Sequence, residues 1–160
     1  MTAPRVHHSA VVCSDLELSL RFYRDGLGMD VLMDREFEGD WPTLLGARST
    51  TLRSLFLGSQ DDVSSGIVEL VDVHGGAEPA PDDRPAAYGF LLLSFYVADV
   101  DATLARLAAT LGTQAEGRTE ASSPGGQVVM ATVRDPDGVL VELIGVPGGP
   151  AWMGPPGPVT

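Results

Sequence analysis

The chain has 160 residues, 44% of them apolar, and carries 22 acidic against 10 basic side chains for a net charge of −12. All ten basic residues are arginine. A packed core is expected, and so acidic a surface repels phosphate backbones and anionic lipid, which sets aside nucleic-acid and membrane-surface roles. No apolar run reaches the ~18 residues of a membrane-spanning helix, the start lacks the apolar stretch of a secretion signal, and a single cysteine, Cys13, rules out an internal disulfide. These features predict a reducing, cytoplasmic setting.

The first element is a strand over residues 6–13. Asp15 stands at an N-cap position, and Leu16, Leu20, Tyr23 and Leu27 follow at helical spacing before Gly28, where a helix would stop. Strands are expected over 31–33, 51–57 and 66–73. The stretch 34–48 is weakly patterned and too long for a tight hairpin, and places Trp41 near a pocket mouth. Residues 75–84 are polar and Pro-rich and read as a linker.

The second half repeats the first. With an offset of 84, residues 92–100 lie over 8–16, so that Asp99 meets Asp15, Leu104 meets Leu20 and Gly112 meets Gly28. With an offset of 73, LVELI at 140–144 lies over IVELV at 67–71. The second module should therefore hold a strand over 90–97 and a helix carrying Val100, Leu104, Leu107 and Leu111. Strands near 114–118, 127–134 and 139–146 should follow, with the turn Asp135-Pro136-Asp137-Gly138 between the last two. The expected fold class is α+β: two tandem βαβββ modules forming a curled mixed sheet around a cleft. The boundaries are 5–74 for the first module, 75–87 for the linker, 88–146 for the second module and 147–160 for a Gly/Pro-rich tail. From Gly145 onward, ten of sixteen residues are Gly or Pro.

Glu69 and Glu142 interrupt otherwise apolar strands at the equivalent place in the repeat. An unpaired buried carboxylate is costly, so each must find a cation, hold its proton or face a shared cavity. His7 and His8 are adjacent on a strand and should point to opposite faces, so at most one lines such a cavity. Cys13 should face the side away from His8, as a core thiol. Arg53 is a candidate for an anionic substrate. Phe90 and Tyr96 share the parity of Leu92 and would line the same cavity, suiting an apolar or aromatic substrate.

The run HHSAVVCSDLELSLRFYRDGLG resembles the opening of the vicinal oxygen chelate superfamily, the glyoxalase, bleomycin-resistance and extradiol-dioxygenase group. RDPDGVLVELIG resembles the close of that family's second module. The resemblance covers residues 5–146 and implies metal ligands from the first and last strands of each module: His8, Glu69, position 92 and Glu142. Family members with a full site commonly have histidine where this chain has Leu92, which cannot bind metal; Ser94, on the same side, is a poor ligand. One imidazole and two carboxylates still suit Fe²⁺, Mn²⁺, Ni²⁺ or Zn²⁺, with open positions for a substrate's neighbouring oxygens. Without metal, one glutamate could hold a proton and act as acid while the other acts as base.

The implied function is an enzyme acting on a small oxygenated organic molecule, by metal-assisted proton transfer of isomerase, epimerase or lyase type or by oxygenation. The alternatives are a metal-free drug-sequestering protein and a metal-free natural-product enzyme using Glu69 and Glu142. The resemblance also implies a homodimer.

Overall fold

The computed structural model describes residues 6–74, 76–77, 89–123 and 126–145. Most of the expected linker and the whole 147–160 tail lie outside the described residues. The chain divides into two compact units, Met1–Pro81 and Asp82–Thr160.

The first unit runs β1 (His8–Val12), α1 (Leu16–Leu20), β2 (Asp30–Glu38), α2 (Trp41–Leu45), β3 (Thr51–Gly58) and β4 (Ile67–Val73). Its four-stranded sheet has the order β1-β4-β3-β2, with β1 parallel to β4 and the other pairs antiparallel. The second unit runs β5 (Leu93–Val97), α3 (Val100–Leu111), β6 (Gly117–Ser123), β7 (Gly126–Arg134) and β8 (Leu140–Gly145). Its sheet repeats the pattern as β5-β8-β7-β6. The chain is thus an α+β protein of two βαβββ modules.

The helices begin where the sequence places them. The Asp15 carboxylate accepts from the backbone N–H of Leu18 at 3.0 Å, and Asp99 accepts from that of Ala102 at 2.9 Å. Both thereby satisfy a donor that a helix start leaves unpaired. Both helical segments give way to a glycine in the left-handed region, Gly28 at φ 85° and Gly112 at φ 71°, where a side chain would be strained. The first helix departs from simple spacing. After Leu20 it widens into a π-helix, Arg21–Gly26, closed by Leu27 N–H donating to Phe22 O at 3.0 Å. The wider turn buries the adjacent rings of Phe22 and Tyr23 completely, centroids 5.0 Å apart, whereas Leu27 is only half-buried.

Four expected strands differ in extent by more than a residue at an end. β1 and β5 are shorter than 6–13 and 90–97. β2 extends to Glu38 through the charged run Asp34-Arg35-Glu36, and a short α2, capped by Asp40, fills part of the weakly patterned stretch. β6 lies at Gly117–Ser123 rather than 114–118. Both β2 and β6 are edge strands, whose charged and polar side chains dilute the alternation that marks central strands. Asp135 is buried, and its carboxylate accepts from the N–H groups of Asp137 and Val139, which builds the turn into β8.

The helix of the first module packs on β4. Val11, Cys13, Leu55, Leu57, Val68 and Leu70 are buried on that side of the sheet. The opposite parity carries the chemistry.

The N-cap carries a measurable share of stability: Asp99→Ala should cost about 1 kcal/mol by urea denaturation. The fully buried Leu107 should cost about 2–5 kcal/mol when cut to Ala.

Candidate functional site

Register decides which side chains meet. In the first module Ala10 of β1 and Phe56 of β3 are both cross-strand partners of Glu69, and Ser54 is opposite Val71. Cross-strand partners share a face, so His8, Ala10, Ser54, Phe56 and Glu69 lie on the face away from α1. There His8 Nε2 stands 3.3 Å from Glu69 Oε2, and the Ser54 hydroxyl donates to Glu69 Oε1 at 2.6 Å. The Phe56 ring meets His8 edge-on, centroids 5.4 Å apart. The Glu69 side chain is 14% exposed and Ser54 is 1% exposed. A carboxylate so far removed from water needs donors; Ser54 supplies one from the interior, and the other oxygen turns toward the imidazole.

His7 does not point away from His8. Its Nδ1 lies 2.9 Å from His8 Nδ1, one nitrogen donating and the other accepting. The expected opposition of the two rings fails at the start of β1, where His7 joins the ladder only through its carbonyl, which accepts from Ile67 N–H at 3.4 Å, and its side chain is not held to strand alternation. His7, His8, Glu69 and Ser54 therefore form one row of polar contacts running from exposed rings to a buried hydroxyl, hydrogen-bonded between the two histidines and between Ser54 and Glu69 and joined by the 3.3 Å approach of His8 to Glu69.

In the second module Ser94 is the register partner of Glu142 on one side and Thr132 on the other. The Ser94 hydroxyl donates to Glu142 Oε2 at 2.8 Å. Ser94 occupies the place of Ala10 and Thr132 that of Phe56, so the two glutamates have equivalent registers and different neighbours. Leu92 and Phe90 precede β5, so strand parity does not orient them, which corrects the expectation for both. Phe90 is 74% exposed, and Tyr96, within the strand, is 52% exposed.

Arg53 is not on the Glu69 face. Its register partners are Glu36 and Asp72, it donates to both oxygens of Asp34 at 2.9 and 2.7 Å, and it approaches Glu17 of the helix at 4.0 Å. The strand alternates, and Arg53 precedes Ser54 by one residue, so the two face opposite ways. The Arg53 guanidinium holds the Asp34 carboxyl below the usual carboxylate range. Trp41 opens α2, donates its indole N–H to Phe37 O at 3.2 Å and packs against Gly39, where an added Cβ would stand 3.0 Å from the ring. Its place is set by its own loop.

Sequence reasoning missed Ser54. Its alternation with Arg53 was legible; its meeting with Glu69 depends on the β3–β4 register, which separates the two by fifteen residues of chain.

The His8 nitrogen and the Glu69 oxygens are donor types that suit a divalent transition metal. Among the described residues, no group of three or more His, Cys, Asp and Glu side chains is placed to hold an ion. The first module alone thus supplies two donors, with Ser54 fixing the carboxylate from behind.

Two predictions follow from this geometry. Ser54→Ala removes the buried donor to Glu69 and should destabilise the protein by about 1–3 kcal/mol in urea titrations. Asp34 has a depressed folded pKa, so its stabilising contribution is present above the unfolded value of about 4 and is lost as pH falls through the lower folded value. The stability difference between wild type and Asp34→Asn, followed from pH 7 to pH 2, should therefore shrink on the acid side.

Comparison with known proteins agrees with the architecture. A family model described as the glyoxalase/bleomycin resistance protein/dioxygenase superfamily matches residues 5–143. The chain is 38% identical over 149 residues to the lactoylglutathione lyase-like protein terB of Aspergillus terreus, covering 89% of this chain and 75% of that one. It is 31% identical over 140 residues to the lactoylglutathione lyase of Haemophilus influenzae, covering 88% and 91%. The glyoxalase family protein APC24694 from Bacillus cereus shares the fold at a TM-score of 0.72 and 19% identity, over 91% of this chain and 95% of that one. TnmS3, an antibiotic binding protein from Streptomyces, aligns at a TM-score of 0.57 and 27% identity, over 89% and 96%. Two βαβββ modules, a glutamate at the same register in each and this set of relatives lead to one conclusion: the chain belongs to the glyoxalase/bleomycin resistance protein/dioxygenase superfamily.

Proposed function

We propose that this chain is a glyoxalase-type enzyme acting on a small organic molecule with neighbouring oxygens. It would move a proton at a carbon next to one of them, as an isomerase, epimerase or lyase does; oxygenation is the other outcome that such a site admits. The observation that carries the reading is the Glu69 carboxylate, with Ser54 on one oxygen and His8 facing the other. The likeness to lactoylglutathione lyases, at 31% identity for the Haemophilus influenzae protein, supports it.

In this reading His8 and Glu69 hold a divalent metal, Fe, Mn, Ni or Zn. Glu142 is the third ligand, assigned on the repeat and the family resemblance rather than on a distance. When bound, the ion supplies a Lewis acid that stabilises negative charge on substrate oxygen. The chain's own residues do the rest. Ser54 keeps Glu69 from turning away. Ser94 engages Oε2 of Glu142 and leaves Oε1 to accept or return a proton. Leu92 contributes no ligand and leaves that position apolar. The reading takes a homodimer in the cytoplasm as the working form.

A second reading is favoured by the exposed side chains of Phe90, Leu91 and Tyr96, at 74%, 57% and 52%, and by the likeness to an antibiotic binding protein. It is a metal-free protein that sequesters a bulky aromatic compound. The glutamates separate the readings, because sequestration needs neither.

The test is metal content by mass spectrometry on protein purified without chelator, for wild type, Glu69→Ala and Glu142→Ala. The expected result is about one divalent ion per wild-type chain and its loss in both variants. A wild type that is metal-free and takes up no added Zn²⁺, Ni²⁺, Mn²⁺ or Fe²⁺ would overturn the metal-assisted reading.

A further inference from the structure

The chain has 22 acidic and 10 basic residues, so an arginine without a carboxylate is unexpected. Among the described arginines, Arg24 pairs with Asp25, Arg53 with Asp34, Arg118 with Asp101 and Arg134 with Glu116. Arg21, Arg48 and Arg106 are engaged as well. Arg35 has neither an ion pair nor a hydrogen bond from its side chain to any described residue.

Its position is specific. Arg35 is the β2 register partner of Ser54, so it lies on the same face of the first module's sheet as Ser54, Glu69 and His8. The carboxylates next to it in sequence, Asp34 and Glu36, alternate to the opposite face, where Arg53 takes Asp34. On its own face it is flanked along β2 by Met33 and Phe37, both half-buried, and Phe56 of β3 is the register partner of Met33. Standard spacings, two strand steps and two residues along the strand, put the Arg35 and Glu69 backbones about 12 Å apart.

We infer that Arg35 takes an anionic group, a carboxylate above all, at the far end of the molecule whose oxygens meet His8 and Glu69. A guanidinium offers two parallel N–H donors that match a carboxylate, and Met33, Phe37 and Phe56 offer apolar contact to the body of a ligand that reaches it. The ligand class is then an apolar or aromatic compound with two neighbouring oxygens at one end and a negative charge at the other. The overall charge of −12 would have suggested a cation; the local face offers the reverse. This inference deepens the proposed function and rests on it.

The test uses the full chain and a panel of catechols and aromatic 2-hydroxyketones bearing a remote carboxylate, each paired with its methyl ester. The first pair is 3-(3,4-dihydroxyphenyl)propanoate and its ester. Binding is followed by calorimetry for wild type, Arg35→Ala, Arg35→Lys and Glu69→Ala. Arg35 is exposed, so its substitution should leave folding intact, which the thermal midpoint checks.

The expected result is that acids bind wild type about 10- to 100-fold more tightly than their esters. Arg35→Ala should erase that preference without changing ester affinity, and Arg35→Lys should restore part of it. Equal affinity for acid and ester in wild type, or an acid preference that survives in Arg35→Ala, overturns the assignment to Arg35. A preference that follows Arg35 while Glu69→Ala leaves all affinities unchanged keeps the anion site and overturns the reading of the His8–Glu69 end. If no compound of the panel binds wild type, the ligand class inferred here is wrong.

Discussion

Everything at the candidate site depends on the parallel pairing of the first and last strands of each module. Parallel strands cannot be joined by a tight turn, and here the connection runs through a helix and two further strands before returning beside the start. The helix covers one face of the sheet, and the other face carries the glutamates among buried apolar neighbours such as Ile67, Val71 and Ile144. The same pairing sets Ala10 beside Glu69 and Ser94 beside Glu142. A shift of one residue would turn each glutamate toward the helix, into a layer of Leu, Val and aromatic side chains that offers a carboxylate nothing.

A glutamate in an apolar strand has to be satisfied, and the two modules do so differently. Glu69 has a buried serine from β3 and an imidazole from β1. Glu142 has a serine from β5, the strand that corresponds to β1, and a threonine where the first module has Phe56. The repeat has kept the backbone register and changed the donors. The first module holds its carboxylate between two partners. The second leaves one carboxylate oxygen unengaged by Ser94, and Leu92, where the family commonly has histidine, adds no donor. This asymmetry is what the proposed function draws on when it gives Glu142 a proton-moving role beside its proposed place as third ligand.

Charge is arranged with similar economy. Arg53 with Asp34, Arg118 with Asp101 and Arg134 with Glu116 tie edge strands to their neighbours, on side chains that are partly exposed. Such pairs contribute little to stability individually. Their larger effect is to neutralise arginines across an acidic protein, so that among the described residues Arg35, on the Glu69 face, stands apart. The Arg53–Asp34 pair also shows why a charged residue one position from a site is not part of it: in a strand, one residue is a change of face.

Much of this protein was legible in its residues. The offsets of 84 and 73, the N-cap aspartates and the stopping glycines determined two βαβββ modules, because helix caps and apolar periodicity are local and survive without tertiary context. The pairing of His8 with Glu69 in kind, if not in distance, followed from the repeat and the family resemblance. What tertiary structure alone decided is register. Ser54, Arg35 and Phe56 come to the face of Glu69, and Arg53 leaves it, through hydrogen-bonded alignment of strands that lie far apart in sequence. The edge strands β2 and β6 run beyond what their apolar pattern indicates because water solvates one of their sides and relaxes that pattern. His7 turns toward His8 because alternation loosens at the end of a ladder, and where a ladder ends is set by the partner strand rather than by the residue itself.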